Sequence, residues 1–302
     1  MRILCLDGGG VRGIFSAAIL QEIEQECGKP VNEMFDMVAG TSTGSIIAAS
    51  VVLNKDLNEV KQKYKTHGKA IFTPQAKIGL FKTVYNDKEM RKYFREALGE
   101  VSLSEIKKPL LIPSVNISEG SPYVYRSNYR KDVQEDLSVK VWDAVLSSCS
   151  APVYFPPNNV QNKYLTADGG LWANNPSLVC LTEAVHYFKE PMDKVKILSI
   201  GTGEQKINFE INSKKSWGIK EWLPFHFQSR RITPKLLDLA MHLSSEAVSE
   251  QCEKLMGKNY LRLNADLGKE VPFDEMESIE ELVELSKQVI TNKKNEVLEF
   301  LS

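Results

Sequence analysis

Phe35-Asp36-Met37-Val38-Ala39-Gly40-Thr41-Ser42-Thr43-Gly44-Ser45-Ile46-Ile47-Ala48 begins as a short apolar run, turns with a glycine two residues to either side of Ser42, and stays apolar on nearly every face as far as Leu53. The first part reads as a buried strand and the last as a buried helix. Gly-x-Ser-x-Gly at a strand-to-helix turn is the nucleophile elbow. The spacing has a physical reason. A serine lifted out of so tight a turn needs small neighbours, because the backbone there is strained and closely packed. The helix that follows directs backbone N–H groups and the positive end of its dipole at the reacting atom. The same pentapeptide also serves as a plain Gly/Ser turn in α/β proteins, so the flanking sequence has to separate the two readings.

On the N-terminal side, Arg2–Leu6 is a short apolar strand, Asp7-Gly8-Gly9-Gly10-Val11-Arg12-Gly13 a glycine-rich turn, and Ile14–Cys27 a segment of helical periodicity. Without side chains in the way, several N–H groups of such a turn can face one anion. Gly8-x-Gly10-x-x-Gly13 formally matches the dinucleotide fingerprint, but that fingerprint wants an acidic residue at the end of the next strand, and here the next strand ends in the serine elbow. No Gly-Lys-Ser/Thr follows, which excludes a P-loop. The better reading is an oxyanion loop. Its donors are expected among Gly8, Gly9, Gly10, Val11, Arg12 and Gly13, with Thr43 just after the serine. Arg12 either orients this loop, holds a phosphate, or makes a structural salt bridge.

Downstream, Asp56–Lys69 reads as a Lys-rich helix with a solvated face and Asp56 as cap. Residues 71–85 read as a loop over the core, and Asp87–Leu98 as an amphipathic helix with Asp87 as N-cap. Pro109–Ile117 and Pro122–Arg126 are strand-like, and Ser138 is expected to cap a helix running through Leu146. Tyr164–Ala167 is a strand leading to Asp168-Gly169-Gly170. Asn174-Asn175-Pro176 precedes an apolar helix over 177–188, and Val195–Ile200 is a strand closed by Gly201-Thr202-Gly203. Short apolar strands alternating with helices predict an α/β fold: a mainly parallel central sheet with helices on both faces, and functional loops at the carboxyl ends of its strands.

From Glu204 the texture changes. Residues 216–231 mix large aromatics with basic residues, as a lipid-facing lid, a packed loop or a subunit contact would. Long helices are expected over 233–256 and 278–301, with a short strand at Tyr260–Leu263. No linker is apparent, so residues 1–203 are expected to form a catalytic core and 204–302 a helical C-terminal elaboration of the same domain. A formal net charge of −1 over 302 residues gives no pull toward a nucleic-acid polymer. The N-terminus reads directly as a strand rather than as a signal peptide, and no run approaches the roughly 18 apolar residues of a membrane span. Five scattered cysteines fit reduced thiols of a cytoplasmic protein better than a disulfide framework or a zinc site.

A serine nucleophile needs a group to take its proton. Of the four histidines, His67, His186 and His242 lie on helices, and only His226 lies on an expected loop. None follows a strand. Asp168 does end a strand, and the two glycines after it let its carboxylate project toward the edge that carries Ser42. A lone carboxylate is a weak base, with an unperturbed pKa near 4. Chemistry with it therefore leans on the oxyanion loop and on partial desolvation. Asp168 could alternatively cap its own glycine turn.

Three motifs, Asp7–Gly13, Gly40–Gly44 and Asp168–Gly170, in this order and spacing, resemble the patatin-like phospholipase family. Ser150-Ala151-Pro152, Tyr154-Phe155-x-Pro157 and Asn174-Asn175-Pro176 are similar to it too, and the likeness covers about residues 1–203. The resemblance implies a patatin-like, α/β-hydrolase-related fold and a dyad of Ser42 as nucleophile and Asp168 as general base. It also implies lipid acyl hydrolysis through an acyl-serine, without metal or cofactor. Small bacterial members of the family suggest further expectations: a cyclic dinucleotide activator such as cyclic GMP-AMP, a role in antiphage defence, a homodimer, and action on phospholipid at the inner membrane surface. A non-phospholipid esterase or transacylase, and a non-catalytic ligand-binding module on the same fold, are the competing classes.

Overall fold

The structure is a computed structural model and describes residues 1–75, 82–130, 137–205, 222, 225–226, 231–232 and 235–302. Its strands are β1 (Arg2–Leu6), β2 (Met37–Gly40), β3 (Leu110–Asn116), β4 (Ser121–Arg126), β5 (Asn158–Val160), β6 (Tyr164–Asp168), β7 (Lys196–Ile200), β8 (Phe225–His226), β9 (Arg231–Ile232) and β10 (Tyr260–Leu263). Eight of them form one sheet in the order β10-β7-β1-β2-β3-β6-β5, with β4 also paired to β3; β8 and β9 form a separate ribbon. Strands β10, β7, β1, β2 and β3 run parallel, whereas β4 and β6 run against β3.

The helices are α1 (Gly13–Cys27), α2 (Val31–Met34), α3 (Thr43–Val52), α4 (Leu57–Ile71), α5 (Lys88–Leu98), α6 (Val141–Ser148), α7 (Gly170–Ala173), α8 (Ser177–His186), α9 (Lys235–Met256) and α10 (Ile279–Leu301). Both sheet faces are covered, which is why the central strands are apolar at every position rather than at alternate ones. Ile3, Cys5, Met37, Ala39 and Ile197 face one way, onto Cys180 and Ala184 of α8 and Cys252 and Met256 of α9. Their neighbours Leu4, Leu6, Val38, Leu198 and Ile200 face α1, α3 and α10.

The register positions the site. Leu6 stands beside Gly40 on one side and Ile200 on the other, so the loops after β1, β2 and β7 leave the sheet together. Asp168 reaches the same place differently from the expectation that every functional loop follows a parallel strand. β3 runs past the level where β2 stops, and β6 descends antiparallel on this overhang, pairing Ser114 with Asp168. Period and length announce a strand, but not its direction.

Residues 235–302 are bound into the same layers. β10 is an edge strand of the central sheet, and α10 lies along α1, with Lys294 paired to Glu26 at 2.5 Å. Among the described residues, no helix is long and apolar enough to cross a membrane. All five cysteines are free thiols. Asp56 caps α4, accepting from the Asn58 N–H at 2.8 Å. Asp87 occupies the N-cap position of α5 as expected, but its carboxylate pairs with Arg91 at 2.8 Å rather than with a backbone N–H, and Asn86 accepts the Lys88 N–H. The expected Ser138 cap is corrected: Ser138 lies before α6, whose N-cap position is Lys140. Most of the aromatic segment 216–231 lies outside the described residues.

Candidate active site

The chain leaves β2 at Gly40, turns through Thr41 and Ser42, and enters α3 at Thr43. Ser42 takes φ 51° and ψ −125°, a backbone conformation that costs a residue with a Cβ on the order of 1–3 kcal/mol. The strain sits on the serine. The flanking glycines have a different reason: a Cβ on Gly44 would stand 2.4 Å from the Leu6 carbonyl oxygen, and one on Gly40 would stand 2.1 Å from that of Gly44. The turn is locked at three further points. Thr41 donates its N–H to Leu6 and its hydroxyl to Ala173, and the Ser42 N–H donates to Ser148 Oγ at 2.9 Å.

The structure brings Ser42 and Asp168 together. Ser42 Oγ donates to Asp168 Oδ2 at 2.7 Å, and Asp168 Oδ1 accepts the Gly170 N–H at 2.7 Å. Both side chains are buried, Asp168 with 1% of its surface exposed. Gly169 is needed for close approach, because a Cβ there would stand 2.2 Å from the Pro113 carbonyl oxygen on β3. Burial lifts the Asp168 carboxyl to about 7, against the opposing pull of the Gly170 and Ser42 hydrogen bonds. A carboxylate so displaced is a competent base near neutral pH while remaining ionised enough to act. Asp168 makes both contacts at once: one oxygen braces its own glycine turn and the other accepts from the serine.

Among the described side chains, no histidine takes this place. His67 stacks on Tyr93 with ring centroids 4.9 Å apart, and His186 is exposed at the end of α8. His242 lines a polar recess behind the glycine loop. His226 lies on β8, and its side chain is outside what the structure describes.

The glycine loop narrows the expected set of oxyanion donors. The Gly8 N–H donates to the Asn174 carbonyl, that of Val11 to Phe273, that of Arg12 to Gly9, and that of Gly13 back into its own turn. Among the described residues, the N–H groups of Gly9, Gly10 and Thr43 make no hydrogen bond within the chain. Arg12 is buried. Its Nε donates to the Gly9 carbonyl at 3.3 Å, and its guanidinium lies over the Phe273 ring. Burial draws its pKa down to about 10, so it stays charged at neutral pH. The loop-orienting role is the one its contacts describe.

Gly10, Ser42 and Asp168 open onto an apolar cavity walled by Ile46, Tyr64, Phe72, Phe94, Tyr154 and Phe273. Sequence reading missed these walls, along with Ser148, Asn174 and Thr202, whose side chains hold the elbow and the loop. The signal for the wall was present on α4: Leu57, Val60, Tyr64, Gly68 and Ile71 recur at helical spacing, under a surface of lysines. Among the described residues, no group of His, Cys, Asp and Glu side chains is placed to hold a metal ion.

The family model for patatin-like phospholipases matches residues 4–181. The chain is 33% identical over 237 residues to a cGAMP-activated phospholipase of Escherichia coli, covering 72% of this chain and 67% of that protein. It is 27% identical over 268 residues to one of Pseudomonas aeruginosa, covering 87% and 77%, and 34% identical over 232 residues to one of Vibrio cholerae, covering 68% and 65%. A serine on a strained elbow against a buried aspartate, beside a glycine loop with free amides, thus coincides with a match over more than half of the sequence, and the chain belongs to the patatin-like phospholipase family.

Proposed function

We propose that this chain hydrolyses the fatty-acyl esters of membrane phospholipids through a covalent acyl-Ser42 intermediate, with Asp168 as its general base. The observation that carries the reading is the 2.7 Å contact of Ser42 Oγ with Asp168 Oδ2 at the mouth of a cavity almost wholly apolar in lining. The acyl chain lies in that cavity. Asp168 takes the serine proton as Oγ attacks the ester carbonyl. The charge that develops on the carbonyl oxygen is met by the Gly9, Gly10 and Thr43 amides. Asp168 then returns the proton to the departing alcohol. In the second half, it takes a proton from water, which attacks the acyl-serine and releases the fatty acid. None of these steps calls on a metal.

The relatives' names support a second part of the proposal: a cyclic dinucleotide such as cyclic GMP-AMP raises the rate. The enzyme then works from the cytoplasm on the inner face of the membrane. Fatty-acid release from phospholipid vesicles, with and without a panel of cyclic dinucleotides, tests both parts. Release that depends on one nucleotide and vanishes in Ser42→Ala is expected. Equal release in every lane would remove the switch. Hydrolysis confined to soluble short-chain esters would favour a non-phospholipid esterase.

A further inference from the structure

Oxyanion donors supplied by the backbone cannot be deleted by substitution, but the side chains that orient their peptide planes can be. A peptide unit is planar and trans, so the carbonyl of one residue and the N–H of the next point in opposite directions. The Gly8 carbonyl and Gly9 N–H share one such plane, and the Gly9 carbonyl and Gly10 N–H share the next. Both carbonyls are tethered by side chains. The Gly8 carbonyl accepts from Thr202 Oγ1 at 3.0 Å and from Asn174 Nδ2 at 3.3 Å. The Gly9 carbonyl accepts from Arg12 Nε.

Asn174 grips Gly8 twice, since its own carbonyl also takes the Gly8 N–H at 3.1 Å. Its amide is in turn fixed from α9: Asn174 Nδ2 donates to Ser245 Oγ at 2.9 Å, and Ser245 Oγ donates to Asp7 Oδ2 at 3.0 Å. Asp7 closes the chain in a two-pronged pair with Arg262 of β10, at 2.9 and 2.6 Å. Asp7, Asn174, Thr202 and Ser245 are all at least nine-tenths buried, where hydrogen bonds are short of competing water and their geometry is held firmly.

We propose that Thr202, Asn174 and Ser245 are positioning residues of the oxyanion hole: they turn the Gly8 carbonyl away from Ser42, and thereby aim the Gly9 N–H at the reacting carbonyl. This deepens the hydrolase reading above and rests on it. It also makes α9 a determinant of rate, although among the described residues none on α9 hydrogen-bonds to the serine. Helix α9 sets the Asn174 amide through Ser245, so a displacement of α9 by a fraction of the Ser245 bond length loosens the loop.

The test uses the full chain under the conditions of maximal wild-type activity. The variants are Thr202→Val and Ser245→Ala, with Thr202→Ser and Ser245→Thr as conservative partners. One probe is a long-chain trifluoromethyl ketone. Ser42 Oγ bonds to its carbonyl carbon, the π pair moves onto oxygen as an oxyanion, and the serine proton passes to Asp168. The other probe is an uncharged long-chain primary alcohol, which fills the cavity without setting negative charge against the amides. Thr202→Val and Ser245→Ala should lower kcat about 10- to 100-fold, short of the full loss of a donor. KM and alcohol affinity should stay within about twofold, and the ketone's inhibition constant should rise by the factor lost from kcat/KM. The acid limb of the pH profile should not move, because Asp168 is untouched, and the conservative partners should recover most of the rate. Wild-type values of kcat and of ketone inhibition in both variants would overturn the assignment. So would a parallel loss of alcohol affinity, which marks a general packing role. If the wild type neither binds the ketone nor labels at Ser42 with a fluorophosphonate, it is the hydrolase reading that falls.

Discussion

Asp168→Asn separates what the aspartate does for catalysis from what it does to stability, and the two effects have opposite signs. The amide is nearly isosteric with the carboxylate. Its oxygen can keep the Gly170 N–H at 2.7 Å, while its NH₂ faces Ser42 Oγ where an acceptor stood. The serine proton then has no base. Removing the carboxylate from a Ser-His-Asp triad costs about 10⁴ in kcat, and general bases as a class contribute about 10²–10⁴. A loss of about 10³–10⁴ is expected here, or about 4–5.5 kcal/mol of activation free energy. Stability should move the other way. Burial raises the folded-state carboxyl to about 7 from an ordinary value of 3.8, so the folded protein binds the proton more tightly than the unfolded chain. Wild-type stability therefore falls as pH rises through the window from about 4 to 7. Roughly three pH units at 1.36 kcal/mol each give on the order of 4 kcal/mol lost above pH 7. A neutral amide escapes that loss. Thermal melts at pH 8 should place Asp168→Asn several degrees above the wild type, with the advantage shrinking toward pH 4. Vesicle or soluble-ester assays give the rate, and fluorophosphonate labelling reports on the serine. Activity within tenfold of wild type in a folded variant would refute Asp168 as the base. An inactive variant that melts well below wild type at pH 8 would refute the electrostatic argument.

The free-enzyme profile of kcat/KM should fall on the acid side with its midpoint near pH 7, since Asp168 must be ionised to accept the serine proton; a midpoint near 4 would mean the carboxylate is not desolvated. Gly44→Ala should destabilise by about 3 kcal/mol or more, read by denaturant unfolding, because its Cβ meets backbone at 2.4 Å and backbone cannot swing aside. Gly28→Ala, with nothing within 4 Å but φ +64°, should cost only about 1 kcal/mol by the same measurement. Gly68→Leu places a side chain in the wall of the apolar cavity, and the near contact its Cβ meets is the movable end of Met276. It should reduce kcat/KM about 10-fold or more for long-chain esters and leave short-chain esters within about threefold. Equal losses for both lengths would place the acyl chain elsewhere.

The parts of the site that sequence disclosed are those whose chemistry is local. Gly40 and Gly44 bracket Ser42 because backbone passes within van der Waals contact of both, and that requirement is written into five adjacent positions. The glycine loop is legible for the same reason. The pairing of Ser42 with Asp168 is not local: 126 residues separate them, and the family resemblance, not spacing, joined them. The direction of β6 and the entry of β10 into the central sheet were beyond reach, because a strand's period says which face is buried and nothing about its neighbour. The solvated reading of α4 failed where its lysines outweighed the stripe of Tyr64, Gly68 and Ile71 beneath them. Asn174 and Thr202 stand in motifs the sequence displays, and Ser148 in none, but no motif says which side chain grips the loop or the elbow until the fold sets them there.

The pairing of Asp7 with Arg262, and of the Val11 N–H with Phe273 at 2.8 Å, has a consequence for how the enzyme comes into being. The glycine loop is translated about 255 residues before Arg262. At about 5–20 residues per second, the loop waits roughly ten to fifty seconds for them. Until they arrive, the amides that would steady an ester's negative charge have no fixed direction. A nascent chain that already holds Ser42 and Asp168 is therefore a poor catalyst, and hydrolysis begins only once β10 and Phe273 have joined the fold.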